Sequence, residues 1–397
     1  MSLSRPPAET LGLAALTRAC GNPVDRDALW RRLVDRVSAD ATDAGAFHDI
    51  ATLLIGAGQR DKGLEIQAAA IADQSLYRSP VVQPSSLTVL ALAAPGDFTA
   101  NTPLDFLLEG SDIELITWRL TEPPSPADAP AHDLAFLAIG QSEEAGPLLA
   151  GLSRALAAWP GPVVNNDPDL IAGLTRDGVA SRFADHPDVL CPQVCRVSRR
   201  VLQELGARLP PFPLIVRPLG THAGHGMEKV ESQAALADYL VRTPSEAFYV
   251  TAFIDYSGDD GLFRKLRVVF IDGAPFIAHM AVSEHWMVHY LNAHMDQSEA
   301  KRAEEASMMA NFDTGFAQRH AAAFKALTRA LPLDYFGIDC AETSDGRLLV
   351  FEADVAMIVH AMDPPALFPY KQAAMARLMK AFRQLLHTRS QVGPAGR

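Results

Sequence analysis

The chain is short of cysteine, of net positive charge and of long apolar runs. Its four cysteines (Cys20, Cys191, Cys195 and Cys340) are too few to build a disulfide framework across 397 residues. Cys191-Pro-Gln-Val-Cys195 has the spacing of half a metal site. No second cysteine pair follows at a zinc-like distance, so these two read as ordinary buried thiols. With 35 Lys and Arg against 47 Asp and Glu, the net charge is −12. That balance lacks the basic footprint of general nucleic-acid binding, but it says nothing against a local nucleotide site. No run of 18 apolar residues is available to span a bilayer. The opening Met-Ser-Leu-Ser-Arg-Pro-Pro has no apolar stretch or small-residue cleavage site of a secretory leader. A reduced, cytoplasmic protein with no membrane segment is the expectation. Two nucleotide signatures are also missing. No G-x-G-x-x-G follows the first buried strand, and G-x-x-x-x-G-K-[ST] is absent.

What is present suits a soluble protein of two or three domains, with 48% hydrophobic and 21% charged residues. Residues 8–76 read as helical, with Trp30, Leu33, Val34 and Val37 at helical spacing. A helical hairpin follows, 46–55 and 62–72 around the break Gly56-Ala-Gly58. Phe47 to Ala51, Leu54, Gly58 and Ala68 to Ala70 resemble one tetratricopeptide unit. Such arrays need about three units to bury their faces. A helical cap on the next domain is therefore the better reading, with a peptide-binding module as the alternative.

From Leu87 the pattern changes. Short apolar runs at 87–93, 113–120, 133–139 and 162–165, with a helix at about 143–158, indicate strands buried on both faces of a small parallel α/β domain. Beyond residue 166 the chain mixes elements. Strands are expected at 213–217, 247–254, 265–271, 275–282, 335–342 and 347–353. Helices are expected at 168–176, 198–207, 231–241, 297–309, 314–330 and 369–387. The fold class is α+β.

Three constellations could carry chemistry. In Asp339-Cys-Ala-Glu-Thr-Ser-Asp-Gly-Arg-Leu-Leu-Val-Phe-Glu352-Ala-Asp354, Asp345-Gly346 is a two-residue hairpin signal. That turn sets Ser344 against Arg347 and Asp339 against Glu352, with Asp354 on the same face as Glu352. Like charges across a ladder are unfavourable unless something cationic such as Mg²⁺ sits between them. An exposed hairpin with solvated carboxylates is the alternative. Next, the strand 213–217 ends in Arg217, and a glycine-rich turn follows through Gly220, Thr221, Gly224 and Gly226. Such a turn can close backbone N–H groups on an anion beside a fixed positive charge, although it can equally be a plain loop. Finally, Lys265 and Arg267 share one face of a strand after the run 248–255.

In this order the three patterns resemble the ATP-grasp superfamily over roughly residues 85–385, with glutathione-synthetase-like and ribosomal-S6-modifying branches nearest. The resemblance implies an ATP-grasp fold of two α+β lobes at 167–390. It also implies a pre-ATP-grasp α/β domain at 85–166, ending in Asn165-Asn-Asp-Pro, and leaves the helical extension at 1–80. By position, it makes Asp339, Glu352 and Asp354 the magnesium ligands. Arg217 would meet the ATP phosphates under the loop Gly220 to Gly226, and Ala252, Phe253 and Ile254 would meet the adenine edge. Asp255 or a nearby acid would take the ribose, Lys265 would line the nucleotide site, and Arg267 would stabilise the transferring phosphoryl group. The implied activity is an ATP- and Mg²⁺-dependent ligase joining a carboxylate to an amine through an acyl phosphate. A small-molecule kinase and a nucleotide-binding scaffold are the alternatives. Substrates would be small-molecule or peptide carboxylates and amines. The helical extension offers a place for a protein or peptide partner, and a homo-oligomer is compatible with the resemblance.

Three positions depart from the family pattern. Arg217 stands where lysine is usual. Arg176-Asp177-Gly178 lacks an expected lysine, which Arg176 or Arg182 could replace. Asp354 stands where asparagine is usual. Elsewhere, His285 and His289 are four apart in a histidine-dense stretch with His279 and His294. Substrate contact or a polar rim is favoured there over zinc. The charged stretch from Gln297 reads as a solvated surface helix, with a lid as the alternative.

Overall fold

The computed structural model describes residues 5–204, 211–221 and 224–391. Its first sheet has the order β1-β2-β4-β3-β5-β6. These strands are β1 (Ala8–Glu9), β2 (Leu76–Arg78), β3 (Leu87–Ala93), β4 (Ile113–Arg119), β5 (Leu134–Leu137) and β6 (Val163–Val164). The run β4-β3-β5-β6 is parallel throughout. β3 and β5 are apolar apart from Thr88, as suits strands covered on both faces. One face packs against the helix Gly146–Ala157 through Leu149, Leu152 and Leu156. The other meets the helix Lys371–Ser390 through Leu378, Phe382 and Leu385. Each such side chain contributes about 1.5–3 kcal/mol when fully buried.

Four helices lie between β1 and β2: Leu13–Cys20, Pro23–Ala39, Ala44–Gly56 and Arg60–Asp73. Asp43 caps the third by accepting from Ala46 N at 2.9 Å. The last two cross closely at Gly63, where a Cβ would stand 2.8 Å from the Ala51 carbonyl oxygen. The segment read as wholly helical also supplies β1 and β2, which pair with each other and join β4. These edge strands are too short to show a period of two, and they sew the helices to the sheet.

A four-stranded antiparallel sheet has the order β10-β9-β11-β8, from β8 (Val194–Ser198), β9 (Leu214–Pro218), β10 (Glu228–Val230) and β11 (Ala247–Ala252). The helix Gln233–Arg242 covers one of its faces. A five-stranded sheet has the order β13-β12-β14-β15-β7. It uses β7 (Val189–Leu190), β12 (Phe263–Ile271), β13 (Ala274–Ser283), β14 (Tyr335–Glu342) and β15 (Leu348–Asp354). The helix Lys371–Ser390 lies between this sheet and the parallel one, with Phe382 against both Phe136 and Tyr335. Asn165, at φ 56° and fully buried, fastens the same junction. Its side chain donates to Tyr335 O and accepts from Tyr335 N, both at 2.8 Å.

Candidate active site

A cavity of about 770 Å³ lies between the four-stranded and five-stranded sheets. Its five-stranded wall is organised by the β14–β15 hairpin. Asp339 does stand opposite Glu352, but by a different route from the expected one. The turn is one residue longer: Thr343 N donates to Arg347 O at 3.0 Å, around Ser344-Asp345-Gly346 with Gly346 at φ 81°. A bulge then places Phe351 between the pairs Cys340–Val350 and Asp339–Glu352 and restores the register.

Asp339 is 2% exposed and is also the cross-strand partner of Arg267. It accepts from Lys265 Nζ at 2.8 Å, and from Arg267 Nε at 2.8 Å and Nη2 at 3.0 Å. Burial alone would raise its pKa, but these two cations hold the carboxyl well below the usual range. Arg267 is buried too. Desolvation acts to lower its pKa, yet Asp339 leaves it raised. Of the five N–H donors of Arg267, three are engaged, the third by Ile358 O at 2.9 Å. Next along this face is His279, paired with Arg267 in register. Burial first and Arg267 second hold it well below its ordinary pKa, so it is neutral.

The three carboxylates are therefore not a set of like groups. Among the described residues, no three His, Cys, Asp or Glu side chains gather as a metal-holding group. Asp339 spends both oxygens on bases, and Glu352 receives Arg176 Nη2 at 2.5 Å. Asp354 accepts from Ala356 N at 3.1 Å, and its pKa is raised to about 6 by burial and then by Glu352. Glu352 and Asp354 both line the cavity. As acids two residues apart on one strand, both lining the cavity, they suit a hard cation as two oxygen donors.

The four-stranded wall carries Arg217, which is 7% exposed at the end of β9. Its Nη2 bonds the Thr221 carbonyl oxygen, while its Nε has no partner among the described residues. Desolvation, and then the repulsion of Arg176, lowers its pKa to about 10. An orphaned N–H on a desolvated cation beside a second cation fits an anion such as phosphate. The glycines of the following turn behave as expected, with Gly220, Gly224 and Gly226 all at positive φ. Gly224 lines the cavity. Thr221 serves Arg217, and the Gly226 carbonyl accepts from Tyr239 OH at 2.7 Å. His222 and Ala223 of this loop lie outside the described residues.

Ala252, Phe253 and Ile254 line the cavity as expected. Asp255 does not. It is exposed, and its carboxylate accepts from Ser257 N at 2.9 Å, which holds its own loop together. Of the two candidate substitutes for the missing lysine, Arg176 reaches the cavity. Gly178 leaves no gap, because a Cβ there would stand 2.3 Å from the Gly173 carbonyl oxygen. His285 and His289 are on an irregular segment rather than a helix, and His289 caps Tyr290–Asn292. Cys195 is exposed rather than buried. Cys191 lines the cavity and its thiol is pushed up to about 12 by burial.

The far end of the cavity was missed in the sequence. Lys371, 2% exposed, contacts Tyr290 OH, Asp363 at 3.2 Å and Glu305 at 3.4 Å. Glu305 sits on the helix Glu299–Ala310, fully buried, and takes Tyr370 OH at 2.7 Å. That helix is therefore anchored by a buried acid, not solvated all round. Its charged composition hides one inward position, and only Met309, four residues after Glu305, with Met308 beside it, hints at an apolar side.

No protein-family model matches the chain, and no curated protein matches it. Among solved structures it is similar to a RimK domain protein ATP-grasp from Sphaerobacter thermophilus. There the identity is 16% over 75% of this chain and 99% of that one, at TM-score 0.44. It is also similar to the D-alanine–D-alanine ligase of Coxiella burnetii, at 13% identity, 77% and 96% coverage and TM-score 0.48. The ligase of that name from Bacillus anthracis complexed with ATP gives 14% identity, 78% and 100% coverage and TM-score 0.44. These are likenesses of fold at low identity and low TM-score, and they carry no argument about chemistry.

Proposed function

We propose that the chain is an ATP-grasp enzyme: an ATP- and Mg²⁺-dependent ligase that joins a carboxylate to an amine. The observation that carries this reading is Arg217, a buried cation with an unpartnered N–H, set beside Arg176 and facing two cavity-lining acids. Triphosphate needs positive charge held in place, and phosphoryl transfer needs positioning and charge neutralisation more than a covalent catalyst. Arg217 and Arg176 would hold phosphate oxygens, with Lys265 and Arg267 on the opposite wall, their charge partly spent on Asp339. Ala252 to Ile254 would border the adenine. Glu352 and Asp354 would hold Mg²⁺, which when bound neutralises charge on the transferring phosphate.

In the reaction a substrate carboxylate oxygen attacks the γ-phosphorus and ADP leaves. The amine nitrogen then attacks the acyl carbon, phosphate leaves, and the nitrogen loses a proton. No enzyme nucleophile is required. Cys191, the thiol in the cavity wall, stays protonated near neutrality and is a poor candidate for one. The substrates would be small molecules or peptides bearing these two groups, and the neutral His279 and the Lys371 end of the cavity would meet them.

The test supplies ATP, Mg²⁺ and a panel of carboxylic acids, with hydroxylamine as a general amine. Hydroxamate formed together with ADP and phosphate supports the ligase. A stable phosphorylated product with no amine incorporated would favour a kinase, and tight ATP binding without turnover over the panel would favour a scaffold.

A further inference from the structure

A second cavity, of about 80 Å³, lies where the N-terminal helices meet the carboxyl ends of β3, β4 and β5. In the order β4-β3-β5-β6 the chain leaves β3 toward β4 and then crosses to β5 on the other side. That reversal opens a crevice at the strand ends, the place where open parallel sheets take their ligands. Here the N-terminal helix Ala44–Gly56 roofs the crevice with His48 and Asp49.

The lining is polar and under-bonded. Among the described residues Tyr77, 3% exposed, has no hydrogen-bond partner for its hydroxyl, and neither ring nitrogen of His48 has one. The two rings touch at a 39° tilt with centroids 4.3 Å apart. Asp49, 1% exposed, accepts from Leu11 N at 2.9 Å through one oxygen and leaves the other unpartnered. Arg119, at the end of β4, donates from Nη1 to Ala94 O at 2.9 Å, while its Nε has no partner. Its pKa is lowered by burial, an effect that Asp105 and Tyr77 offset in part, and it is in no ion pair among the described residues. Asp49 is raised to about 7 by burial, so near neutrality a large share of it is uncharged. A half-buried guanidinium outside any ion pair among the described residues, and several idle polar groups, are each costly to leave alone. The surrounding loop is fixed rather than loose. Gln67 clamps Gly96 through both its amide atoms at 2.8 and 3.0 Å, and Asn101 does the same for Ala94 at 2.7 and 2.9 Å.

We infer that this cavity is a second binding site, separate from the nucleotide cavity, for a small monocarboxylate that pairs with Arg119 and is hydrogen-bonded by Tyr77 and His48. The planar guanidinium fork matches a carboxylate, and the volume limits the ligand to a few heavy atoms. The nearby acids Asp49 and Asp105 disfavour a doubly charged anion such as phosphate.

The test is a thermal-shift and calorimetric titration of the full chain with acetate, propionate, glycine and inorganic phosphate at constant ionic strength, with chloride as control. The expected result is saturable stabilisation by acetate or propionate, lost in Arg119→Gln and weakened by ~10-fold in Tyr77→Phe, which keeps the ring contact and removes only the hydroxyl. ATP binding should be unchanged in both variants. If Arg119→Gln does not fold, Tyr77→Phe decides alone. No saturable shift would mean that the cavity holds only water, and would overturn the proposal. An equal shift with phosphate or chloride, a preference for glycine, or an unchanged carboxylate affinity in Tyr77→Phe would overturn it as well.

Discussion

Arg217 and Arg267 face one cavity from opposite sheets, and their surroundings differ in kind. Arg267 is held by Asp339 through two N–H groups, with Lys265 on the same acid. Arg217 has a carbonyl and a hydroxyl of its own loop, an idle Nε and a neighbouring cation. One wall is electrostatically complete before any ligand arrives. The other keeps a desolvated cation with an N–H that no described residue takes. The fold thus gives different surroundings to two bases that look alike in the sequence: one bound to a buried acid, and one left with an idle donor toward the cavity.

The sharpest way to break this contrast is to remove the shared acid. Asp339→Ala leaves Lys265 and Arg267 buried without their counter-charge and should cost about 3–5 kcal/mol in urea unfolding. A loss below about 1 kcal/mol would mean that water already screens the trio. Second in size is Gly178→Lys, which introduces the lysine that the resemblance leads one to expect there. It forces a Cβ onto the Gly173 carbonyl and should destabilise by about 2 kcal/mol without improving turnover. Improved activity would show that the helix start can yield.

A smaller effect is expected from Asp354→Asn. The native carboxyl titrates near 6, above its unfolded value, so the folded state holds the extra proton between the two pKa values. Stability contributed by this group is present below the unfolded pKa and is lost as pH rises toward 6. The variant should therefore be more stable than the parent at pH 7, by about 1 kcal/mol, and equal to it near pH 3.5. An unchanged difference across that range would contradict the assignment. Smallest in stability is Arg217→Leu, expected within about 1 kcal/mol of the parent, since a desolvated cation without a strong partner adds little to folding.

Much of the framework was legible. The strands at 87–93, 113–119 and 134–137 announce themselves as apolar runs too short for helices, and the hairpin at 335–354 follows from Asp345-Gly346. The pairing of Asp339 with Glu352 was also anticipated, but through two compensating departures, a longer turn and a bulge at Phe351. Neither leaves a trace in the alternation of residues. The bonding of Asp339 to Lys265 and Arg267 could not be read, because it depends on β12 lying beside β14, a neighbour relation between strands some 70 residues apart. Asp255 was misplaced for the opposite reason: its partner, Ser257, is only two residues away, and a local turn outcompeted the cavity. The Lys371–Glu305 pair stayed hidden because a lone lysine and a glutamate among charged neighbours look the same buried or exposed.

The central claim is that the Arg217 wall is built for the phosphates of a nucleotide. Calorimetric titration of ATP with Mg²⁺ into the parent chain and into Arg217→Leu tests it directly. Binding in the parent that weakens at least ~10-fold in the variant, with the unfolding midpoint little changed, is the expected result. Equal affinity in the two proteins, or no binding in the parent, would contradict it.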